Sequence, residues 1–270
     1  MISTELAQFI NENIELIDGN KFQELYNKLN DILLIPEFSK VLLDSNIDPL
    51  PHLNYIPEYC FYNMEFNNSF IIPDNISKIE TNAFSRCILQ DIYIPQSVKI
   101  IKGLAFSYCK VKTLDIPDKC SCGSFCFKGS TVENVTIGSN AEFNEFAFKN
   151  CDRLKTVKFK SSATVYHSMF EGCTSLESVD LGNIVGISDK AFHLCKSLEK
   201  VSIPLSCMFI GLEAFKNCYG LMEITIPGMD TRVSKSAFYG CPSSLVIRCT
   251  KDSFVDQTFR ADTEVQLQYL

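Results

Sequence analysis

The sequence predicts an α+β repeat protein: a solenoid of stacked short parallel strands with an N-terminal α-helical cap. Three observations carry that prediction. Phenylalanine recurs at 61, 84, 106, 127, 148, 170, 192, 215 and 238, at intervals of 21 to 23 residues. Alternating apolar segments that end in proline keep the same register, as in Leu89-x-x-Ile92-x-Ile94-Pro95 and Leu221-x-x-Ile224-x-Ile226-Pro227. Ahead of them, residues 1–50 carry nine acids against three bases and read as helices.

The opening helices come first. Leu6, Phe9, Ile10, Ile14 and Ile17 fall at helical spacing, with Ser3 placed to cap the start and Gly19 to stop the run. Asn20 is expected to cap a second helix carrying Phe22, Leu25, Tyr26 and Leu29, with Gln23 at the third position of a capping box. A third helix, around Pro36 to Asp44, presents Phe38, Val41 and Leu42. Each has one apolar stripe, so none is stable alone. The block's net −6 leaves −1 for the remaining 220 residues, and this shift near Pro49-Leu50-Pro51 marks a boundary.

The repeat follows. One residue before each Phe the side chain is mostly small, as at Ala83, Ala105, Ala191 and Ala214. Five residues before, it is apolar throughout, as at Ile79, Ile101, Val165 and Ile187. Three residues after, Cys stands at 87, 109, 151, 173, 195, 218 and 241, with Met64 and Ser130 as exceptions. A period near 22 residues with L-x-x-L-x-L spacing is the arithmetic of a leucine-rich repeat solenoid. No coil of such a stack can bury its own apolar face, so inward residues must form continuous columns. The expected organisation is an acidic helical cap or docking block at 1–50, a solenoid of about nine coils at 51–249, and a C-terminal cap at 250–270. Within that last part, Asp252 to Phe259 suit a short helix, and Val265, Leu267 and Tyr269 alternate as a closing strand.

The pattern Ile94-Pro95…Val98-x-x-Ile101…Ala105-Phe106-x-x-Cys109 resembles the BspA-type leucine-rich repeats of bacterial and protist proteins. The resemblance covers about residues 56–249. It implies a scaffold of the kind used in adhesion or host binding at cell surfaces. The acidic opening and the stretch Leu42 to Leu50 further resemble the openings of such repeats in gut bacteria and their phages.

Composition excludes several function classes. With 25 Lys+Arg against 32 Asp+Glu the net charge is −7, which argues against binding nucleic acid or an anionic membrane. No apolar run approaches the roughly 18 residues that span a bilayer, and the start has no signal-peptide pattern. The Cys column suits a stack of buried thiols in a reducing compartment. A cytoplasmic location is therefore expected, with a virion or cell surface as the alternative. Cys120, Cys122 and Cys126 make a local cluster, but their spacing is poor for zinc and no His adjoins them. His193 directly follows core Phe192 and is expected to point outward. No nucleophile elbow, zincin, P-loop or dinucleotide motif is present. No catalytic residue, metal or cofactor is assigned.

Function is then expected of a surface. Two outward columns run along the strands, one through Asp91, Thr113, Asn134, Thr156 and Ser178, the other through Tyr93, Asp115, Thr136, Lys158 and Asp180. They are mostly Thr, Ser and Asp, a composition that equally suits a solvated sheet with stabilising ladders. If the face binds, Asp91, Tyr93, Asp115, Lys158, Lys160 and Asp180 are the candidate residues. The reading is a non-enzymatic protein-binding module, monomeric unless part of an assembly, with an unidentified protein partner. The alternative is a structural subunit of a phage or cell-associated assembly, docked through the N-terminal helices.

Overall fold

The computed structural model describes residues 4–18, 21–29, 34–45, 47–262 and 265–270. Ser3, Gly19 and Asn20, assigned above to helix ends, lie outside the described residues. Each coil runs through a strand of up to four residues, a corner, a second strand of two residues and the Ala-Phe-x-x-Cys turn. Successive coils therefore build two parallel stacks, one broad and one narrow.

In the broad stack, Thr113–Ile116, Asn134–Ile137, Thr156–Phe159 and Ser178–Asp180 pair in parallel, with Thr113, Asn134, Thr156 and Ser178 in register. Phe70–Ile71 and Ile92–Tyr93 begin it, and Gln266–Tyr269 ends it against Val246–Cys249. That last strand is a tenth rung among the described residues, one more than the phenylalanine spacing implies. The narrow stack runs from Tyr55–Ile56 to Arg232–Val233. Broad strands alternate exposed and buried residues, because a period of 2 sends every second side chain inward.

The nine phenylalanines form a stacked ladder down the core. Neighbouring rings from Phe61 to Phe238 lie 4.9 to 5.8 Å apart, and all but the first pair are within 19° of parallel. Phe66 and Phe70 close the ladder edge-on at its start, and Phe259 covers Phe238 at its end.

The turns around the ladder form a third hydrogen-bonded column. Two residues after each Phe the backbone is left-handed, as at Asn63, Arg86, Tyr108, Asn150, Leu194 and Asn217. This conformation costs a non-glycine residue roughly 1–2 kcal/mol. It aims each amide at a carbonyl of the next coil: Arg86 to Ser107 at 2.8 Å, Tyr108 to Lys128 at 2.7 Å, Leu194 to Lys216 at 2.9 Å. The Phe amides do the same, Phe106 reaching the Cys126 carbonyl at 2.7 Å. Inter-coil bonding offsets the local strain.

The column cysteines have a reason of their own. Cys87, Cys151, Cys173, Cys195, Cys218 and Cys241 each donate their thiol to the carbonyl of the ladder Phe one coil back, at 2.8 to 3.3 Å. All 13 cysteines are free thiols, and all but the half-buried Cys241 are buried.

The helices are α1 (Thr4–Glu12), α2 (Ile14–Asp18), α3 (Phe22–Lys28), α4 (Leu34–Asp44) and α5 (Phe254–Phe259). The expected single first helix is split at Asn13, whose amide donates to the Phe9 carbonyl at 2.9 Å while α2 begins beyond it. Such a side-chain bond to the preceding turn competes with helix continuation. The expected capping box rests on Asn20, outside the described residues; α3 is preceded by Lys21, which makes no side-chain cap, and Gln23 accepts from the Asn54 amide at 3.4 Å. Leu6, Phe22, Phe38 and Leu42 are buried in one core with Cys60 and Phe61. At that junction the Ser39 hydroxyl bonds Tyr26 at 2.6 Å and Cys60 at 3.4 Å.

Candidate functional site

The broad stack positions every candidate binding residue on one face. Asp91 and Tyr93 flank buried Ile92, so both point outward. Asp115, Lys158 and Asp180 follow Tyr93 in its column, with Thr136 between, each in register with the next where the strands pair. Lys160 lies just past its strand, exposed, its amide bonded to the Ile137 carbonyl at 3.0 Å. Rungs about 4.8 Å apart put Tyr93 and Lys158 roughly 14 Å from each other. The six therefore do not converge on one point. Asp91, Tyr93 and Asp115 form one group, and Lys158, Lys160 and Asp180 another.

Ladders tie the polar face together. Thr156 donates to Asn134 Oδ1 at 2.6 Å, and Thr113 reaches Asp91 Oδ1 at 3.4 Å. At the sheet margin Lys155 and Glu133 pair at 3.0 Å, and this ion pair holds the Glu133 carboxyl below its ordinary range.

The first rungs differ from the rest. Ile71 is 66% exposed and Tyr93 56%, and the two are register partners on adjacent strands. Next to them opens a cleft of about 840 Å³, lined by Lys40, Leu43 and Asp44 of α4 and by residues 63–70. An apolar pair, a tyrosine hydroxyl and two carboxylates thus share one end of a rigid face, and the recess lies before its first strand, between α4 and residues 63–70. Nothing in this set activates a nucleophile. It offers contact area and hydrogen-bond acceptors.

The comparisons with known proteins bear on this arrangement. Residues 54–165 and 121–246 match the BspA type leucine rich repeat region, in 6 copies. The chain belongs to the BspA-type leucine-rich repeat family. The chain is similar to a leucine-rich repeat protein from Bacteroides ovatus, at 26% identity and a TM-score of 0.64, covering 75% of this chain and 54% of that one. It thus spans about half that protein's length. More distant likenesses are a leucine-rich repeat protein from Eubacterium ventriosum (16% identity, TM-score 0.45, 82% and 70% covered) and a leucine rich cell surface protein from Faecalibacterium prausnitzii (19%, 0.40, 74% and 60%). No curated protein matches the chain.

The family is a non-catalytic repeat scaffold. Burial pushes Cys60, Cys87 and Cys241 up to about 12, so none is a thiolate at neutral pH. Cys120, Cys122 and Cys126 are buried in the core. Among the described residues, no group of three His, Cys, Asp or Glu is placed to hold a metal ion. His193, expected to point outward, packs between the turn residues Glu171 and Asn217 of the neighbouring coils. It is half-buried, with Nδ1 3.8 Å from Glu171, and burial lowers its pKa despite that carboxylate.

Sequence reasoning missed Ile71. The segment Phe66 to Ile72 lacks the spacing of the later strands, so the sequence pattern starts the outward columns at Asp91 and Tyr93. A signal was present in Ile72-Pro73, which matches Ile94-Pro95 and places Ile71 one rung before Tyr93.

Proposed function

We propose that the protein is a non-enzymatic scaffold that recognises a protein partner on the first rungs of its broad sheet. The observation that carries this reading is the exposed Ile71–Tyr93 pair, set in register on a face whose outward residues from Thr113 to Thr225 are all polar. Tyrosine beside an aliphatic residue supplies area at low entropic cost, the usual chemistry of a binding hot spot. Asp91 and Asp115 add acceptors at its rim, and the cleft admits a protruding side chain. The other reading, docking of the N-terminal helices to an assembly, has less support, because those helices spend Leu6, Phe22 and Phe38 on the core. The test is affinity capture from native host lysate with the wild type, an Ile71→Ser/Tyr93→Ala double variant and a Lys158→Ala/Ser202→Ala control. The partner should be lost with the first variant and kept with the second. Equal capture by both variants would discard this site.

A further inference from the structure

Charge is unevenly placed along the solenoid. Residues 84–160 carry 12 bases against seven acids, a net +5 within a chain of net −7. Part of that excess gathers where the Ala-Phe-x-x-Cys turns lead into the broad sheet, around a recess of about 380 Å³. Lys110 and Lys112 form one wall. Val111 between them is buried, so both exposed side chains project outward, about 7 Å apart at the backbone of an extended segment. Arg153 forms the other wall two rungs on, roughly 10 Å away. The rung between holds Thr131, too short to fill the gap. The Thr131 amide donates to the Cys109 carbonyl at 3.0 Å and the Lys155 amide to the Glu133 carbonyl at 2.8 Å, so inter-coil bonds fix the spacing of the walls.

We propose that this recess binds an acidic peptide segment of a partner, in extended conformation. Among the described residues Lys110, Lys112 and Arg153 form no ion pair, so the fold does not use their charge. Two carboxylates stand near. Glu133 is taken by Lys155 at 3.0 Å, and Asp152, exposed, precedes Arg153. Four cations thus stand against two acids. Arg86 and Lys128, over the Tyr108 ring at 5.8 and 5.9 Å, add positive field on the turn side. An extended chain alternates its side chains between two walls. Carboxylates at its first and third positions meet Lys110 and Lys112, and one at the second meets the planar fork of Arg153. Glu133 sets the limit on charge: a polymer with an anion at every unit would run onto it, whereas a peptide can place a neutral residue there. This surface is separate from the Ile71–Tyr93 rungs, and the inference does not rest on them.

The experiment is fluorescence anisotropy at low salt, titrating the full chain up to about 1 mM into a labelled peptide with three consecutive glutamates between Gly-Ser ends. The expected result is saturable binding that weakens as salt is raised. A peptide with glutamine in place of the three glutamates should bind about tenfold more weakly or worse. The variant Lys110→Gln/Lys112→Gln/Arg153→Gln should lose a similar factor. The variant Lys99→Gln/Lys102→Gln/Lys119→Gln removes the same charge from the narrow-stack side of these coils and should bind like the wild type. All six side chains are exposed, so both variants keep the fold. No saturation, equal affinity for the two peptides, an equal loss in both variants, or a heparin fragment of the same charge that binds more tightly through the same three residues would each overturn the proposal. None of these results bears on partner capture through Ile71 and Tyr93, which is tested on different residues.

Discussion

Phe148 is held between two parallel rings, 4.9 Å from Phe127 and 5.5 Å from Phe170, with no exposed surface. Phe148→Ala removes the ring from both contacts and leaves a cavity that stiff neighbouring coils cannot close. The expected loss is about 3–5 kcal/mol, read from urea unfolding. A shift no larger than that of an exposed control such as Lys158→Ala would mean the ladder is not the core. The thiols give a second prediction at this scale. The column cysteines are small apolar groups, and six of the seven send their S–H to a Phe carbonyl, so native protein should react slowly with a thiol reagent. All 13 should then titrate after unfolding without reductant. A shortfall of several would reveal disulfides. That Cys recurs three residues after Phe is plain in the sequence. That it donates to the carbonyl one coil back is not, because the acceptor lies about 25 residues away along the chain.

At the scale of elements, the C-terminal cap shows how a short helix is fixed. Ser253 accepts from the Asp256 amide at the helix start, and Val255 and Phe259 are buried against the last coil. The Asp256 carboxylate is itself fully covered, bonded by Arg260 Nε at 3.2 Å, the Asp252 amide at 2.8 Å and the Tyr269 hydroxyl at 3.2 Å. Arg260 above all holds its pKa down to about 2, from an ordinary value of 3.8. A depressed carboxylate stabilises the fold above its unfolded pKa, and the contribution is lost as pH falls through the folded one. The melting midpoint of the wild type should therefore exceed that of Asp256→Asn above about pH 4, and the gap should close toward about pH 2. A gap that stays constant across this range would show that Asp256 acts by shape alone. The sequence supports a helix and a closing strand here, since Phe254 to Phe259 and Val265 to Tyr269 each follow a clear period. It does not reveal that Asp256 joins the two through Tyr269.

At the scale of the whole molecule, stability is a chain of neighbour contacts, and the ends are its weak points. The coil of Phe61 has no preceding coil, and its open side meets Phe22, Phe38 and Leu42 within one core, with the Tyr26–Ser39–Cys60 bonds at the junction. Deleting residues 1–46 should expose this coil, lowering the melting midpoint and promoting aggregation, as light scattering during a thermal ramp would record. A soluble truncation with an unchanged midpoint would show the helical block to be an autonomous unit. In either case the broad sheet should keep its register, because nothing in the later strands depends on the helices.

The sequence by itself determined the period, the inward columns and the parallel stacking. In a solenoid the residue one period away is also the nearest neighbour in space, so a one-dimensional repeat states a three-dimensional contact. Three features were left to the tertiary structure: the left-handed turns, the carbonyl partners of the thiols, and the pairing of Ile71 with Tyr93. Left-handed backbone at Arg86 or Leu194 contradicts local preference. It exists only because the next coil presents a carbonyl to each amide. The Ile71–Tyr93 pair is equally hidden. An outward Ile or Tyr in a strand reads like a core residue until the register shows which side of the coil it occupies.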